Sequence, residues 1–288
     1  MPLRPIRLLQ VDIGERLLDI PWPARTWRDP APPGLAVDAA RSGEEYGSAL
    51  VLVRLHDQPL GLVELPAPAT GHREIRADDY AGTIWGALGG AINRHLEEDG
   101  LPQVAGLTRD GVSAGPARCR LERDALLADA PMVSVIIPTR DRPDWLADCL
   151  RSLVALEYPR YEIIVVDNAP ATEATAELVR REYGHLAHVR YVREPRPGPA
   201  SARNRGLTLA HGEIVAFTDD DAIADRFWIA ELVRGFGRGP DVTCVTGSIV
   251  PRELETPPQI LFEQFGGLNK GFSRRIFDAT THCPPDRL

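Results

Sequence analysis

The sequence predicts an α/β protein: a mostly parallel sheet with helices on both faces, preceded by a small α+β domain. Three observations carry this. Beyond residue 130, short apolar runs alternate regularly with amphipathic stretches. The runs, such as "VSVII" and "EIIVV", are nearly continuous, as in strands buried on both faces. The first 130 residues lack that alternation and contain instead two neighbouring strand-like runs and one long helical pattern.

In that first part, "SALVLVRLHDQPLGLVELP" (48–66) reads as a hairpin turning at His56 to Pro59. "DDYAGTIWGALGGAINRHLEEDG" (78–100) places Ile84, Trp85, Leu88, Ile92 and Leu96 at helical spacing, with Gly100 as the stop. Proline-rich stretches at 21–33 and 66–68 read as loops. His56, His72 and His95 each stand alone in the sequence and read as surface or core residues rather than ligands. "CRLERDALLADAP" (119–131) is a short connecting helix, which places a domain boundary near 130 and leaves 131–288 as the second domain.

The second domain opens with the strand "MVSVIIP". The helix "DRPDWLADCLRSLVALEYP" follows, with Asp141 expected as N-cap and Leu146, Cys149, Leu150 and Leu153 as its buried stripe. "YEIIVVDN", "HVRYVREP" and "EIVAFTDDD" are further strands, and "DVTCVTGSIVP" is expected to be another. "ATEATAELVRREYG", "GPASARNRGLTLAHG" (closed by Gly212) and "DRFWIAELVRGFG" are the helices between them.

Composition excludes several classes. The net charge of -8 and pI near 5.4 argue against a general nucleic-acid binder. No apolar run reaches the roughly 20 residues of a membrane helix, and the N-terminus lacks a signal-peptide core. A cytoplasmic location is therefore the default, with peripheral membrane contact left open. Lys270 is the only lysine, a bias of GC-rich bacterial genomes. Cys119, Cys149, Cys244 and Cys283 form no C-x-x-C pair, so no zinc site is expected, and Cys149 and Cys244 read as core.

The polar residues fall at strand ends. Ligands of an open parallel sheet bind at the carboxyl ends of its strands. Here those ends carry Pro138-Thr139-Arg140-Asp141, Asp167-Asn168 and Asp219-Asp220-Asp221. A triplet of adjacent carboxylates repels itself, and a hard divalent cation would make it favourable. In "REPRPGPASARNRG", a helix starting near Ala200 offers its N-terminus to an anion. Arg203 and Arg205 could add charge-assisted bonds or simply pair with Glu194. No G-x-x-x-x-G-K-[ST] loop is present and no G-x-G-x-x-G follows the first strand of this domain. A metal-bridged polyphosphate is the ligand class these features share.

In "VSVIIPTRDRPDWLADCLRSL", "YEIIVVDNAP", "GPASARNRGL" and "GEIVAFTDDDA", in that order, residues 132–288 resemble the nucleotide-sugar half of a family 2 glycosyltransferase of the GT-A fold. The resemblance implies an inverting, metal-dependent transferase that uses Mn²⁺ or Mg²⁺ and a nucleotide-diphosphate sugar, with a UDP-sugar as the first expectation. It places Pro138, Thr139 and Arg140 around base and ribose, Asp167 at the base edge, and Arg203 and Asn204 near the nucleotide. Asp219 and Asp221 form the D-x-D motif, with Asp221 the direct metal ligand and Asp220 near the ribose. It also implies that the acceptor region and its catalytic base lie beyond this chain. Glu253, Glu255, Glu263 and Asp278 are available carboxylates, but they lack the family's context for a base.

Other readings are a nucleotide-binding module without turnover, an aspartate-nucleophile phosphatase and a nucleotidyltransferase. The phosphatase needs its D-x-D after the first strand and a supporting lysine, and the nucleotidyltransferase needs a glycine-rich loop where "PTRDRP" stands.

Overall fold

A computed structural model describes residues 3–22, 45–112 and 115–277. Against an expected boundary near 130, the chain divides into two compact units: residues 1–118 with 248–288, and residues 119–247.

In the first unit, β1 (Ile6–Asp12) and β2 (Ile20–Pro21) precede the expected hairpin of β3 (Ser48–Leu55) and β4 (Gln58–Pro66). β1 lies parallel to β3, giving the order β1-β3-β4, and β2 pairs with β5 (Glu74–Ile75). The hairpin turns on His56 and Asp57 alone, at φ 54° and 67°. Two consecutive positive φ values are the pattern of a type I′ turn. α1 (Ala77–Glu98) buries Ile84, Ile92 and Leu96 against Val51, Val53, Leu55 and Val63, while Trp85 and Leu88 pack at the margin. β1 has no counterpart among the expected strands. In "IRLLQVD" adjacent leucines sit between polar residues and blur the period of two, and nearly every residue is half-buried.

The second unit begins with α2 (Arg118–Ala128). Its strands β6 (Val133–Thr139), β7 (Tyr161–Asn168), β8 (Val189–Glu194) and β9 (Ile214–Phe217) form one parallel sheet in the order β8-β7-β6-β9. Alternate residues go to opposite faces. Val135, Ile137, Ile163 and Val165 join Leu146, Cys149, Leu150 and Leu153 of α3 (Pro143–Val154), Leu178 of α4 (Ala174–Leu178), and Ile229 and Val233 of α6 (Trp228–Phe236). Ile136, Ile164 and Val166 face the other way, onto Ala202 of α5 (Pro199–Leu207). Both faces are covered, as the continuous apolar strands require. α5 can lie close to β6 because residue 206 is glycine: a Cβ there would stand 2.4 Å from Cγ2 of Ile136.

Three local expectations fail for identifiable reasons, and a fourth, a helix, is present with a change in its form. Asp141 does not cap α3. It adopts φ 53° and accepts the Ala171 N–H at 2.9 Å, leaving Arg142 at the N-cap. The helix expected over 171–184 is α4 followed by one π turn, Val179–Tyr183. α5 stops at Leu207, short of Gly212: Thr208, Leu209 and Ala210 N–H still bond carbonyls of the last turn, but the donors after them are recruited elsewhere. His211 N–H bonds Glu162 at 2.8 Å, and Gly212 N–H bonds Ser134 Oγ at 2.8 Å. "DVTCVTGSIVP" forms no strand among the described residues. Val245 instead packs against Gly235 at the end of α6, and Cys244, expected in the core, is exposed. The last helix, α7 (Pro257–Phe265), belongs to the residues grouped with the first unit. Asp278, Cys283 and most of the loop expected at 21–33 lie outside the described residues.

Candidate functional site

Parallel register brings the three polar strand ends together. Thr139 is the ladder partner of Asp167 across β6 and β7, and β6 also pairs with β9 up to Ile136 and Phe217. The chain leaving β9 therefore carries Asp219–Asp221 past the end of β6. There Thr139 Oγ donates to Asp220 at 2.7 Å. Asp220 is buried, at 4% exposure, and is a tie between two strand ends. Burial pushes its carboxyl pKa up, against the pull of Thr139 and Arg142.

Arg142 answers the repulsion within the triplet. Its Nη1 donates to Asp220 and its Nη2 to Asp221, each at 2.9 Å. The hydrogen bond to Asp221 and the field of all three aspartates hold this guanidinium above its usual pKa. Arg203, on α5, donates to Asp219 at 3.1 Å. The triplet was expected to need a cation to offset its own repulsion, yet two arginines supply counter-charge in the protein alone. Asp219 and Asp221 remain exposed, with side-chain exposures of 67% and 45% against 6% for Asp220. The two outer carboxylates of the D-x-D are thus the accessible ones. One or two such groups beside substrate phosphates suit Mg²⁺ or Mn²⁺, which keep several other oxygen ligands, so the residues present fit the ion.

Asp167 is fully buried at the end of β7. Tyr191 donates its hydroxyl to Oδ2 at 2.9 Å, while Oδ1 is buried without a hydrogen-bond partner. Burial raises the Asp167 pKa, and the Tyr191 bond offsets this in part. Such an acceptor is costly unless a donor reaches it. The neighbouring Asn168 is a clamp, accepting Gly198 N–H and donating to the Arg196 carbonyl, each at 2.8 Å. It fixes the loop that leads into α5, whose N-cap Gly198 has φ 116°, a conformation that favours glycine.

The remaining candidates are less engaged. Pro138 is half-buried in β6, and Arg140 is exposed, 3.7 Å from the Asp141 carboxylate. Asn204 and Arg205 face elsewhere: with Arg193, Glu194, Pro195, Arg196 and Thr208 they line a depression of about 390 Å³ that none of the strand-end candidates borders. Glu194 is paired with Arg196, which leaves Arg203 for the triplet. Glu253, Glu255 and Glu263 belong to the residues grouped with the first unit. Sequence reasoning missed Arg142 and Tyr191. Arg142 was legible as a cation just past a strand end. Tyr191 was not, because its role depends on its position across from β7.

The family model described as "Glycosyl transferase family 2" matches residues 134–286. This chain belongs to glycosyl transferase family 2. Among curated relatives of this chain, a glucosyl-dolichyl phosphate glucuronosyltransferase of Haloferax volcanii is 29% identical over 136 residues, covering 46% of this chain and 43% of the relative. The glycosyltransferase AglE of the same organism is 32% identical over 124 residues, 41% of this chain and 40% of its own length. A putative teichuronic acid biosynthesis glycosyltransferase of Bacillus subtilis is 36% identical over 93 residues, 32% of this chain and 36% of its own. Each match thus spans less than half of the relative. Among solved structures, a mannosyltransferase of Pyrobaculum calidifontis in complex with GDP-Man and Mn²⁺ is 34% identical with a TM-score of 0.37, covering 41% of this chain and 36% of that one.

Proposed function

We propose that residues 119–247 bind the nucleoside diphosphate of a nucleotide sugar together with Mn²⁺ or Mg²⁺, and that the protein transfers the sugar to an acceptor hydroxyl with inversion. The observation that carries this reading is the convergence of Thr139, Asp167 and Asp219–Asp221 at one sheet edge, with Arg142 and Arg203 beside them. In this reading Asp167 accepts a donor from the base edge at its unpartnered Oδ1. Pro138, Thr139 and Arg140 border base and ribose. Asp221, with Asp219, holds the ion, and Asp220 fixes the loop beside the ribose. A bound divalent ion supplies charge neutralisation for the leaving diphosphate. Arg142 and Arg203 hold the carboxylates in place until the ion arrives and are then available to phosphate oxygens. Asn204 supports the nucleotide only through the backbone of α5.

UDP is the first nucleotide to test. Thermal melts of this chain with Mn²⁺ alone, UDP alone and both separate the contributions. At about 100 times its dissociation constant, a ligand stabilises the fold by roughly 2.7 kcal/mol. The expected result is a melting temperature that rises most with both components. Equal melting temperatures with UDP and every other nucleoside diphosphate, with or without metal, would refute the reading.

A further inference from the structure

Histidines that look isolated in the sequence meet in the first unit. His56 occupies the hairpin turn between β3 and β4. His95 and Asp99 lie one helical turn apart at the end of α1, so both project from one face. Nδ1 of His56 lies 2.7 Å from Oδ2 of Asp99, and Nε2 of His95 lies 3.2 Å from the same oxygen. The side chains of His56, His95 and Asp99 are 1%, 11% and 3% exposed. We infer that His56, His95 and Asp99 form a binding site for a transition-metal ion of the Zn²⁺ class.

Three features carry this. First, the spacing suits the ion. With metal–ligand bonds of about 2.0–2.1 Å, tetrahedral geometry separates ligand atoms by roughly 3.3 Å. The His95–Asp99 distance matches that value, while His56 Nδ1, hydrogen-bonded to the same oxygen at 2.7 Å, would have to draw back by about 0.6 Å to admit the ion. Second, the donor set is nitrogen, nitrogen and carboxylate oxygen. Imidazole suits Zn²⁺, Co²⁺ and Ni²⁺, whereas Mg²⁺ takes oxygen ligands. The site is therefore chemically distinct from the Asp219–Asp221 triplet. Third, the hydrogen bonds to Asp99 leave one buried ring nitrogen of the cluster unpaired. Nε2 of His56 is buried with no hydrogen-bond partner, so the polar group is not self-satisfied. The fourth position of a tetrahedral ion is left for water or a further donor.

The ion would lock the hairpin turn onto the end of α1. His56 holds φ 54°, a conformation unusual for a residue with a side chain, and a coordination bond would fix it there.

The test uses the full chain without a histidine tag, dialysed against Zn²⁺ and then against metal-free buffer. Elemental analysis should find about one equivalent of tightly held Zn²⁺. Co²⁺ substitution should give the strong visible bands of a tetrahedral site. Asp219→Ala/Asp221→Ala should retain the Zn²⁺, while His95→Gln and Asp99→Asn should lose it. Four results would overturn the proposal: no retained Zn²⁺ in the wild-type chain, a weak octahedral Co²⁺ spectrum, loss of Zn²⁺ in the Asp219/Asp221 variant, or full retention in His95→Gln. The wild-type measurements decide the matter even if the His95 or Asp99 variant does not fold.

Discussion

Arg142 neutralises Asp220 and Asp221 in the protein alone, so it stands in the position of a competitor to the metal. Arg142→Ala should therefore bind Mn²⁺ several-fold more tightly in the absence of nucleotide. Its stability should fall by at least about 1 kcal/mol, since the Asp221 pair is half-exposed but the buried Asp220 also loses its cation. Mn²⁺ titration followed by electron paramagnetic resonance checks the first point, and unchanged or weaker binding would show that Arg142 does not compete. Asp167 acts differently. Its unpartnered Oδ1 can only accept when ionised. Asp167→Asn adds donors at the same shape and should change the preference among nucleoside diphosphates more than it changes metal affinity. Calorimetry with UDP, GDP and ADP measures this, and an unchanged preference would remove Asp167 from the base pocket. The acidic triplet and Asp167 were legible in the sequence because they end apolar runs. What each carboxylate does was not. Asp220 is a buried tie and its neighbours are exposed because β6 passes beside that one position, which no local pattern encodes. Asp141 was misread as a helix cap for the same reason: its partner, the Ala171 N–H, comes from another loop.

Strands and helices separate along a similar line. β6 and β7 were readable almost to the residue, because burial on both faces leaves a continuous apolar run. The strand expected over 241–251 and the C-terminal half of the α5 pattern were not realised. A ladder partner and the fate of backbone donors are tertiary facts. Ser134 and Glu162 decide the second of these: they take the N–H groups of His211 and Gly212, end the helix and start the approach to β9. Burial works to raise the Glu162 pKa, but bonds from Ser134, His211 and Arg190 outweigh it and bring it down to about 2 from 4.5. A depressed carboxyl stabilises the fold above its unfolded pKa and loses that contribution as pH falls through the folded value. Glu162→Gln should thus be less stable than wild type by roughly 2–3 kcal/mol at neutral pH. The gap should close as pH falls from 4.5 toward 2. Urea unfolding across that range checks it, and a gap independent of pH would show that the charge is not what matters.

At the scale of the molecule, the α/β class and the presence of a distinct N-terminal part followed from the change in apolar rhythm. The compact units did not, because residues 248–288 group with the first unit through contacts far apart in sequence, such as the bridge between Ile6 and Leu254. The pairing of His56 with His95 was hidden likewise, since a turn and a helix end 39 residues apart meet only in the fold. Among the described residues no helix is long and apolar enough to cross a membrane. The proposed metal-dependent site for a nucleoside diphosphate lies at one place in the second unit, the sheet edge at 138–142, 167 and 219–221. The most direct measurement is calorimetric titration of UDP into wild type and Asp221→Ala, with Mn²⁺ and with chelator. Wild type should bind at least about 10-fold more tightly with Mn²⁺, equivalent to about 1.4 kcal/mol. Asp221→Ala, folded to within about 1 kcal/mol of wild type, should lose that gain. Equal affinity with and without Mn²⁺, or a metal-dependent gain that survives in Asp221→Ala, would contradict the account.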